Sequence, residues 1–270
     1  MKLLNGKDIS EFIKTRQAAV VANIRQHQNI LPKLAIIKVK DDPVINTYVR
    51  LKQRYGKDIG VEVDTYTPQQ SEVPKLLNKL NKDESVHGII IQLPLNDISE
   101  TEKIVNLVNH EKDVDALSLN SDYPPATPTA ILWLLAGHNV ELLGKKVLLI
   151  GRGKLVGQPL SKMLKDSGVD VTIADRSTKD LKQLALESDV IITAAGSPAI
   201  IFPDMIKNNA VVVDAGVASE DGKTVGDVDK SVYEREDITI TPVKGGVGPL
   251  TVTSLFENVI QAANKAANHK

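Results

Sequence analysis

Apolar residues recur at intervals of three and four from about residue 9 to residue 27, which predicts an amphipathic helix. Pro32 closes that region, and the nearly continuous apolar run at 34–39 predicts a buried strand. Asp41-Asp42-Pro43 is a turn signal. A helix over 46–59 follows, with Gly60 placed as its C-terminal stop. The pattern continues as a strand at 61–66, a helix at 73–81, a strand at 88–92 broken by Pro94, and a helix at 100–108. Such alternation predicts an α/β domain with a mostly parallel sheet. A second series begins after residues 143–145. It reads as a strand at 146–150, a glycine-rich loop at 151–157, a helix at 158–167, a strand at 169–174, a helix at 181–188 and a strand at 190–194. Strands at 210–214 and 238–240 complete that sheet, and 251–268 is amphipathic and helical. Between the series, 120–129 holds three prolines (Pro124, Pro125 and Pro128) with little periodicity, and 130–136 looks helical. The expectation is a two-domain α/β protein. Residues 1–122 and 251–270 form one domain, to which the last helix returns, and 123–250 form a Rossmann-type nucleotide-binding domain.

At 270 residues the chain is comfortable for two cores. It is 42% hydrophobic and 25% charged but only 3% aromatic, so the cores must be built from Ile, Val, Leu and Ala, as parallel sheets usually are. A formal net charge of −1 gives no general nucleic-acid or membrane surface. Absence of cysteine removes disulfides, thiolate nucleophiles and iron–sulfur ligation. The five histidines show no metal-ligand spacing, so no metal is expected. No apolar run spans a bilayer, and residues 1–7 lack the apolar stretch of a signal peptide, so a cytoplasmic location is expected.

The 146–150 strand runs into Gly151-Arg152-Gly153-Lys154-Leu155-Val156-Gly157 and then a helix. Glycines there permit a tight turn and let backbone N–H groups and a helix N-terminus approach a pyrophosphate. The strand-before, helix-after context raises an otherwise weak glycine signal. The next strand ends at Ala174-Asp175-Arg176. An acid at this place binds an adenine ribose diol, whereas a base accepts a 2′-phosphate. The chain offers both, with Arg152 nearby, so local chemistry leaves NAD and NADP open.

Tyr48-Val49-Arg50-Leu51-Lys52, Gly88-Ile89-Ile90-Ile91-Gln92-Leu93-Pro94-Leu95 and Lys112-Asp113-Val114-Asp115 stand in a recognisable order with the glycine loop. Gly226-Asp227-Val228-Asp229, Thr241-Pro242-Val243 and Gly245-Gly246-Val247-Gly248-Pro249 follow. Over essentially its whole length the chain resembles the bifunctional methylenetetrahydrofolate dehydrogenase/cyclohydrolase family, called FolD in bacteria. The resemblance implies oxidation of 5,10-methylenetetrahydrofolate to the methenyl form, then hydrolysis to 10-formyltetrahydrofolate, in one-carbon metabolism that feeds purine biosynthesis. It implies catalytic roles for Tyr48, Lys52, Gln92 and Asp115. Tyr48 packs on the folate, Gln92 orients Lys52, and Asp115 holds the pterin donors. Gly246 and Pro249 join Tyr48, Gln92 and Asp115 as substrate-binding residues. Gly151, Arg152, Gly153, Gly157, Asp175, Arg176 and Val217 are the implied cofactor-binding residues. The implied partners are tetrahydrofolate derivatives, NADP (with NAD possible) and a second copy of the chain in a homodimer.

Residue chemistry agrees. Tyr48 and Lys52 are four apart and share a helix face. A carboxylate can accept two hydrogen bonds from a pterin edge, and a desolvated lysine can move protons near neutral pH. Departures from the family pattern are Ile45 for serine, Ala116 for glycine, Ala126 for cysteine, Gly153 for serine, Ala174-Asp175-Arg176 for C-H-S, and Lys244 for proline. Two other readings compete. A shikimate- or amino-acid-type NAD(P) dehydrogenase would not need the Gln92–Leu95 or 245–249 blocks. A degenerate folate-binding member would not need the retained Tyr48, Lys52, Gln92 and Asp115.

Overall fold

The computed structural model describes residues 1–220 and 223–268. Contacts divide the chain into two compact units, one of Glu11–Ala126 with Val252–Lys270 and the other of Met1–Ser10 with Thr127–Thr251. In chain order the first half carries β1 (Lys2–Leu3), α1 (Gly6–Gln28), β2 (Lys33–Ile37), α2 (Pro43–Ile59), β3 (Glu62–Tyr66), α3 (Val73–Lys82), β4 (Gly88–Ile91) and α4 (Thr101–Val105). Then come α5 (Ala126–Gly137), β5 (Lys146–Ile150), α6 (Gly157–Asp166), β6 (Asp170–Ala174), α7 (Leu181–Glu187), β7 (Val190–Thr193) and β8 (Val211–Asp214). A hairpin of β9 (Ala218–Glu220) and β10 (Lys223–Val225), then β11 (Thr239–Ile240) and α8 (Val247–Asn268), complete the order.

The first unit holds a three-stranded parallel sheet in the order β3-β2-β4. Successive residues of a strand face opposite ways, so Leu34, Ile36 and Ile90 enter one core with Ile45, Val49, Tyr55 and Phe256, while Ala35, Ile37, Ile89 and Ile91 enter another with Leu77 and Leu80. Helix α2 is delimited at both ends. Asp42 accepts from Val44 N (2.8 Å) and Ile45 N (3.2 Å), Pro43 opens the first turn, and Gly60 stops the helix at φ 81°.

The second unit holds a six-stranded sheet in the order β1-β11-β8-β7-β5-β6, with every pairing parallel. From β5 the chain steps outward to β6 and then crosses to β7 on the other side. The strand order therefore reverses at β5, the place where doubly wound sheets receive a ligand beyond the C-terminal ends of their strands.

Three departures from the patterning matter. Residues 1–10, expected with the first domain, join the second: Lys2 N donates to Ile238 O and Leu4 N to Ile240 O, so the first residues cover the open edge at β11. A two-residue strand leaves no alternation to read. The last helix starts at Val247 and not at 251, because Pro249 in a first turn needs no N–H partner. The helix expected at 130–136 starts at Ala126 for the same reason, with Pro128 in its first turn. No helix among the described residues is long and apolar enough to cross a membrane.

Candidate active site

Tyr48 and Lys52 lie one turn apart on α2, both half-buried. Gln92 directly follows β4 and lies on the sheet face that carries Ile90, the face covered by α2. Lys52 Nζ donates to Gln92 Oε1 at 2.7 Å. Burial pulls the Lys52 ammonium below its ordinary range, and the nearby Asp115 carboxylate partly restores it. Burial likewise drives the Asp115 carboxyl upward; Lys52 opposes that shift and Asp113 adds to it. The Tyr48 phenol is also raised by burial.

The segment carrying Asp115 is pinned from three sides. Ile89 N donates to Lys112 O at 2.7 Å, which ties the segment to β4. Lys112 Nζ donates to Leu80 O and Asp83 O, at 3.1 and 2.7 Å. The buried Asp113 carboxylate accepts from Leu117 N (3.3 Å), Ser118 N (2.8 Å) and Ser118 Oγ (2.6 Å). Val114 is fully buried beneath Gly88. Asp115 itself accepts no hydrogen bond among the described residues. In Lys112-Asp113-Val114-Asp115, three residues build the loop and the fourth keeps its acceptors for something else. Ala116 turns the chain at φ 54°, a left-handed conformation that explains a glycine preference there.

In the second unit, Gly151 follows β5 at φ 117°, and an added Cβ would lie 2.4 Å from Ala194 O. A Cβ on Gly157 would lie 2.1 Å from Gly151 O, so only glycine lets α6 begin this close to the loop. Gly153 differs: nothing lies within 4 Å of its Cβ position. This cradle, at the reversal of strand order and the N-terminus of α6, fits a dinucleotide pyrophosphate. Arg152 Nε pairs with Asp175 Oδ2 at 2.9 Å. Asp175 Oδ1 accepts from Ser177 N and Oγ, at 2.9 and 2.6 Å; these bonds, more than Arg152, hold its carboxyl below the usual range. Arg176 is exposed and has no ion-pair partner among the described residues. Val217 is 55% exposed just beyond β8, at the same C-terminal edge of the sheet. Gly246 and Pro249 stand at the start of α8, where Gly245 O accepts from Gly6 N and Lys7 N, at 2.8 and 3.1 Å.

The site residues thus gather in two sets, Tyr48, Lys52, Gln92 and Asp115 in the first unit and the remainder in the second. Two carboxylates stood out in the sequence only as part of a motif or not at all. Asp214 and Asp227 are tied to the loops at the C-terminal ends of β7 and β8. The available signal was an aspartate ending a strand together with a Gly-Asp pair.

Two family models match. Residues 4–115 match the tetrahydrofolate dehydrogenase/cyclohydrolase catalytic domain, and residues 125–267 match the NAD(P)-binding domain of the same family. A bifunctional protein FolD of Exiguobacterium sibiricum is 36% identical over 97% of this chain and 99% of its own. The structure of the bifunctional FolD methylenetetrahydrofolate dehydrogenase/cyclohydrolase of Campylobacter jejuni superposes at TM-score 0.91, with 36% identity over 98% of this chain and 99% of that one. The Trypanosoma brucei dehydrogenase-cyclohydrolase, solved with NADP and an inhibitor, superposes at 0.90 with 29% identity over 97% of each chain. A shikimate dehydrogenase of Peptoclostridium difficile, at 14% identity and TM-score 0.52, shares the fold alone. The chain is an enzyme of the tetrahydrofolate dehydrogenase/cyclohydrolase family, with that family's catalytic and NAD(P)-binding domains in order.

Proposed function

We propose that this enzyme oxidises 5,10-methylenetetrahydrofolate to 5,10-methenyltetrahydrofolate with NADP⁺ and hydrolyses the product to 10-formyltetrahydrofolate. The observation that carries this reading is the 2.7 Å contact from the half-buried Lys52 to Gln92, with Asp115 and its free acceptors beside it. Asp115 accepts from the pterin's amino and ring N–H groups, and Tyr48 packs on the flat ring system. The cofactor supplies the hydride acceptor, and the protein's task in that step is orientation and exclusion of side reactions. In the hydrolytic step water adds to the methenyl carbon and the ring C–N bond opens. Lys52, its ammonium pulled below the ordinary range by burial and held by Gln92, takes a proton from the water and returns one to the leaving nitrogen.

On the nucleotide side, Gly151, Gly153 and Gly157 admit the pyrophosphate, Val217 and the 245–249 segment bound the nicotinamide end, and Arg152 with Arg176 takes the 2′-phosphate. Arg152 already neutralises Asp175, whose other oxygen is occupied by Ser177. That pairing is exposed and therefore weak, so a phosphate can compete for the guanidinium. The resemblance further supports a cytoplasmic homodimer, which light scattering would show as twice the chain mass.

Absorbance assays separate the parts. NADPH formation with methylenetetrahydrofolate, run beside the same assay with NAD⁺, reads the first reaction. Loss of the methenyl chromophore without nucleotide reads the second. Absence of both from folded protein would overturn the reading, and faster turnover with NAD⁺ at equal subsaturating concentrations would reverse the cofactor choice alone.

A further inference from the structure

Two carboxylates in the second unit, one buried and one half-buried, have no part in the chemistry above. Asp227, fully buried, accepts from Ala195 N through Oδ2 (2.7 Å) and from Ser197 N through Oδ1 (2.8 Å). Asp214, the last residue of β8, accepts through Oδ1 from Thr193 Oγ1, Gly216 N and Asp227 N, each at 3.0 Å, and through Oδ2 from Val228 N at 3.1 Å. Glycines make the room: a Cβ on Gly216 would lie 2.1 Å from Asp227 Oδ1, and one on Gly226 would lie 2.0 Å from Asp214 Oδ2.

A buried acid with a second carboxylate beside it is a costly way to hold a loop. Burial drives the Asp227 carboxyl up against the pull of its backbone donors, and Asp214 drives it further. A neutral side chain would fasten a purely structural turn more cheaply. The place explains the cost. The segment 194–197 leaves β7 beside β5, at the reversal of strand order, and its first peptide abuts Gly151: the Gly151 Cβ position lies 2.4 Å from Ala194 O and 3.0 Å from Ala195 N. The wall facing the cofactor loop is therefore the segment Asp227 holds, and the loop after β8 that bears Val217 is the one Asp214 holds.

We propose that Asp227, backed by Asp214, is a positioning residue for the dinucleotide, fixing the 194–197 wall at the spacing from Gly151 that the cofactor requires. The inference rests on the NADP reading given above. It assigns Asp227 no contact with the reacting atoms.

Asp227→Asn tests it. An amide has one acceptor where the carboxylate has two, so Ala195 N–H or Ser197 N–H loses its partner to an NH2 group. The expected result is that the NADP dissociation constant by calorimetry and the NADP KM both rise about tenfold or more, with kcat at saturating NADP within about twofold. Cyclohydrolase activity, measured without nucleotide, stays at the parent value. Gly216→Ala, which intrudes on the carboxylate without removing it, reproduces the NADP defect and decides the matter if the first variant does not fold. Asp229→Asn, in the same motif but only capping the 230–234 turn, leaves NADP binding unchanged. Unaltered NADP affinity in Asp227→Asn or Gly216→Ala overturns the proposal, and so does a parallel loss of both activities with a lowered melting temperature, which marks a merely structural role. A parent enzyme inactive in both assays refutes the folate reading instead, and NADP titration still tests the clamp.

Discussion

Asp115→Asn separates binding from folding within one loop. The Asp115 carboxylate takes no hydrogen bond from the described residues, so its acceptors are open to a ligand. Asparagine keeps one acceptor and turns a donor toward the second pterin N–H. Loss of one charge-assisted bond, plus an unpaired buried donor on the ligand, amounts to about 2–4 kcal/mol. That corresponds to a folate dissociation constant weaker by about 30- to 900-fold. Stability moves the other way. Burial raises the Asp115 carboxyl above its unfolded value, and an acid shifted in that direction destabilises the fold once the pH exceeds the unfolded value. At neutral pH the ligand-free variant should therefore melt no lower than the parent.

Asp113, two residues away, gives the opposite pattern. Its buried carboxylate holds Leu117 and Ser118, so Asp113→Asn should cost about 1–3 kcal/mol of stability. The assays are calorimetric titration with a folate substrate analogue, the same titration with NADP, and thermal melting without ligand. Unchanged folate affinity in Asp115→Asn, or an equal loss of NADP affinity, would refute the reasoning and leave Asp115 a turn residue.

Lys52→Met should abolish hydrolysis of methenyltetrahydrofolate while preserving fold and NADP binding; full hydrolysis by that variant removes the lysine from the mechanism. In the pH profile of the hydrolysis at saturating folate, the limb belonging to Lys52 should shift toward acid in Asp115→Asn, because the carboxylate that raises the ammonium pKa is gone; a limb that stays put breaks the coupling. Arg152→Ala should raise the NADP KM sharply and spare that for NAD, since it removes a phosphate partner and also releases the Asp175 carboxylate for a ribose diol; equal damage with both cofactors points to NAD. Ala116→Gly should stabilise the protein by about 1 kcal/mol, because alanine at a left-handed φ is strained, with folate affinity unchanged; a lower denaturation midpoint contradicts the strain argument.

Elements long enough to show a period were legible in the sequence. The apolar runs at 34–39 and 88–92 form strands of the small sheet as expected, and Gly60 marks the end of α2, but that helix starts at Pro43, inside the turn signal and ahead of the expected 46. Pairing partners far apart in the chain were not legible from periodicity. Lys2–Leu3 is too short to carry a pattern, and its role depends on Thr239–Ile240, more than two hundred residues away. The same limit governs the site. Tyr48 and Lys52 share a helix and could be read together, but Lys52 with Gln92 joins α2 to the end of β4, so the pair was available only through resemblance. Within Lys112-Asp113-Val114-Asp115 nothing in spacing says which acid builds the loop. The hydrogen-bond partners divide that labour. Asp214 and Asp227 were harder still, because a strand-end aspartate reads as a cap until the amides it holds are placed in space.

The departures from the family pattern now sort by surroundings. Ile45, where serine is usual near the substrate end of α2, is 4% exposed and packs in the core with Ile36, Val49 and Tyr123, so this site adds apolar burial and no ligand contact. Gly153 replaces serine where nothing lies within 4 Å, so the exchange leaves the backbone cradle intact and removes only a hydroxyl. Lys244 is exposed before Gly245, whose carbonyl still receives Gly6 and Lys7. Ala116 alone is paid for in backbone strain, beside Asp115. Asp175 is the exception with chemical consequence: it places a carboxylate just after β6, and Arg152 from the neighbouring loop pairs with it. On the proposed function, cofactor choice becomes a competition for one guanidinium, between a carboxylate already paired with it and a phosphate that arrives with the ligand. Because the pair is exposed, the phosphate, with more charge and Arg176 in support, is the stronger competitor.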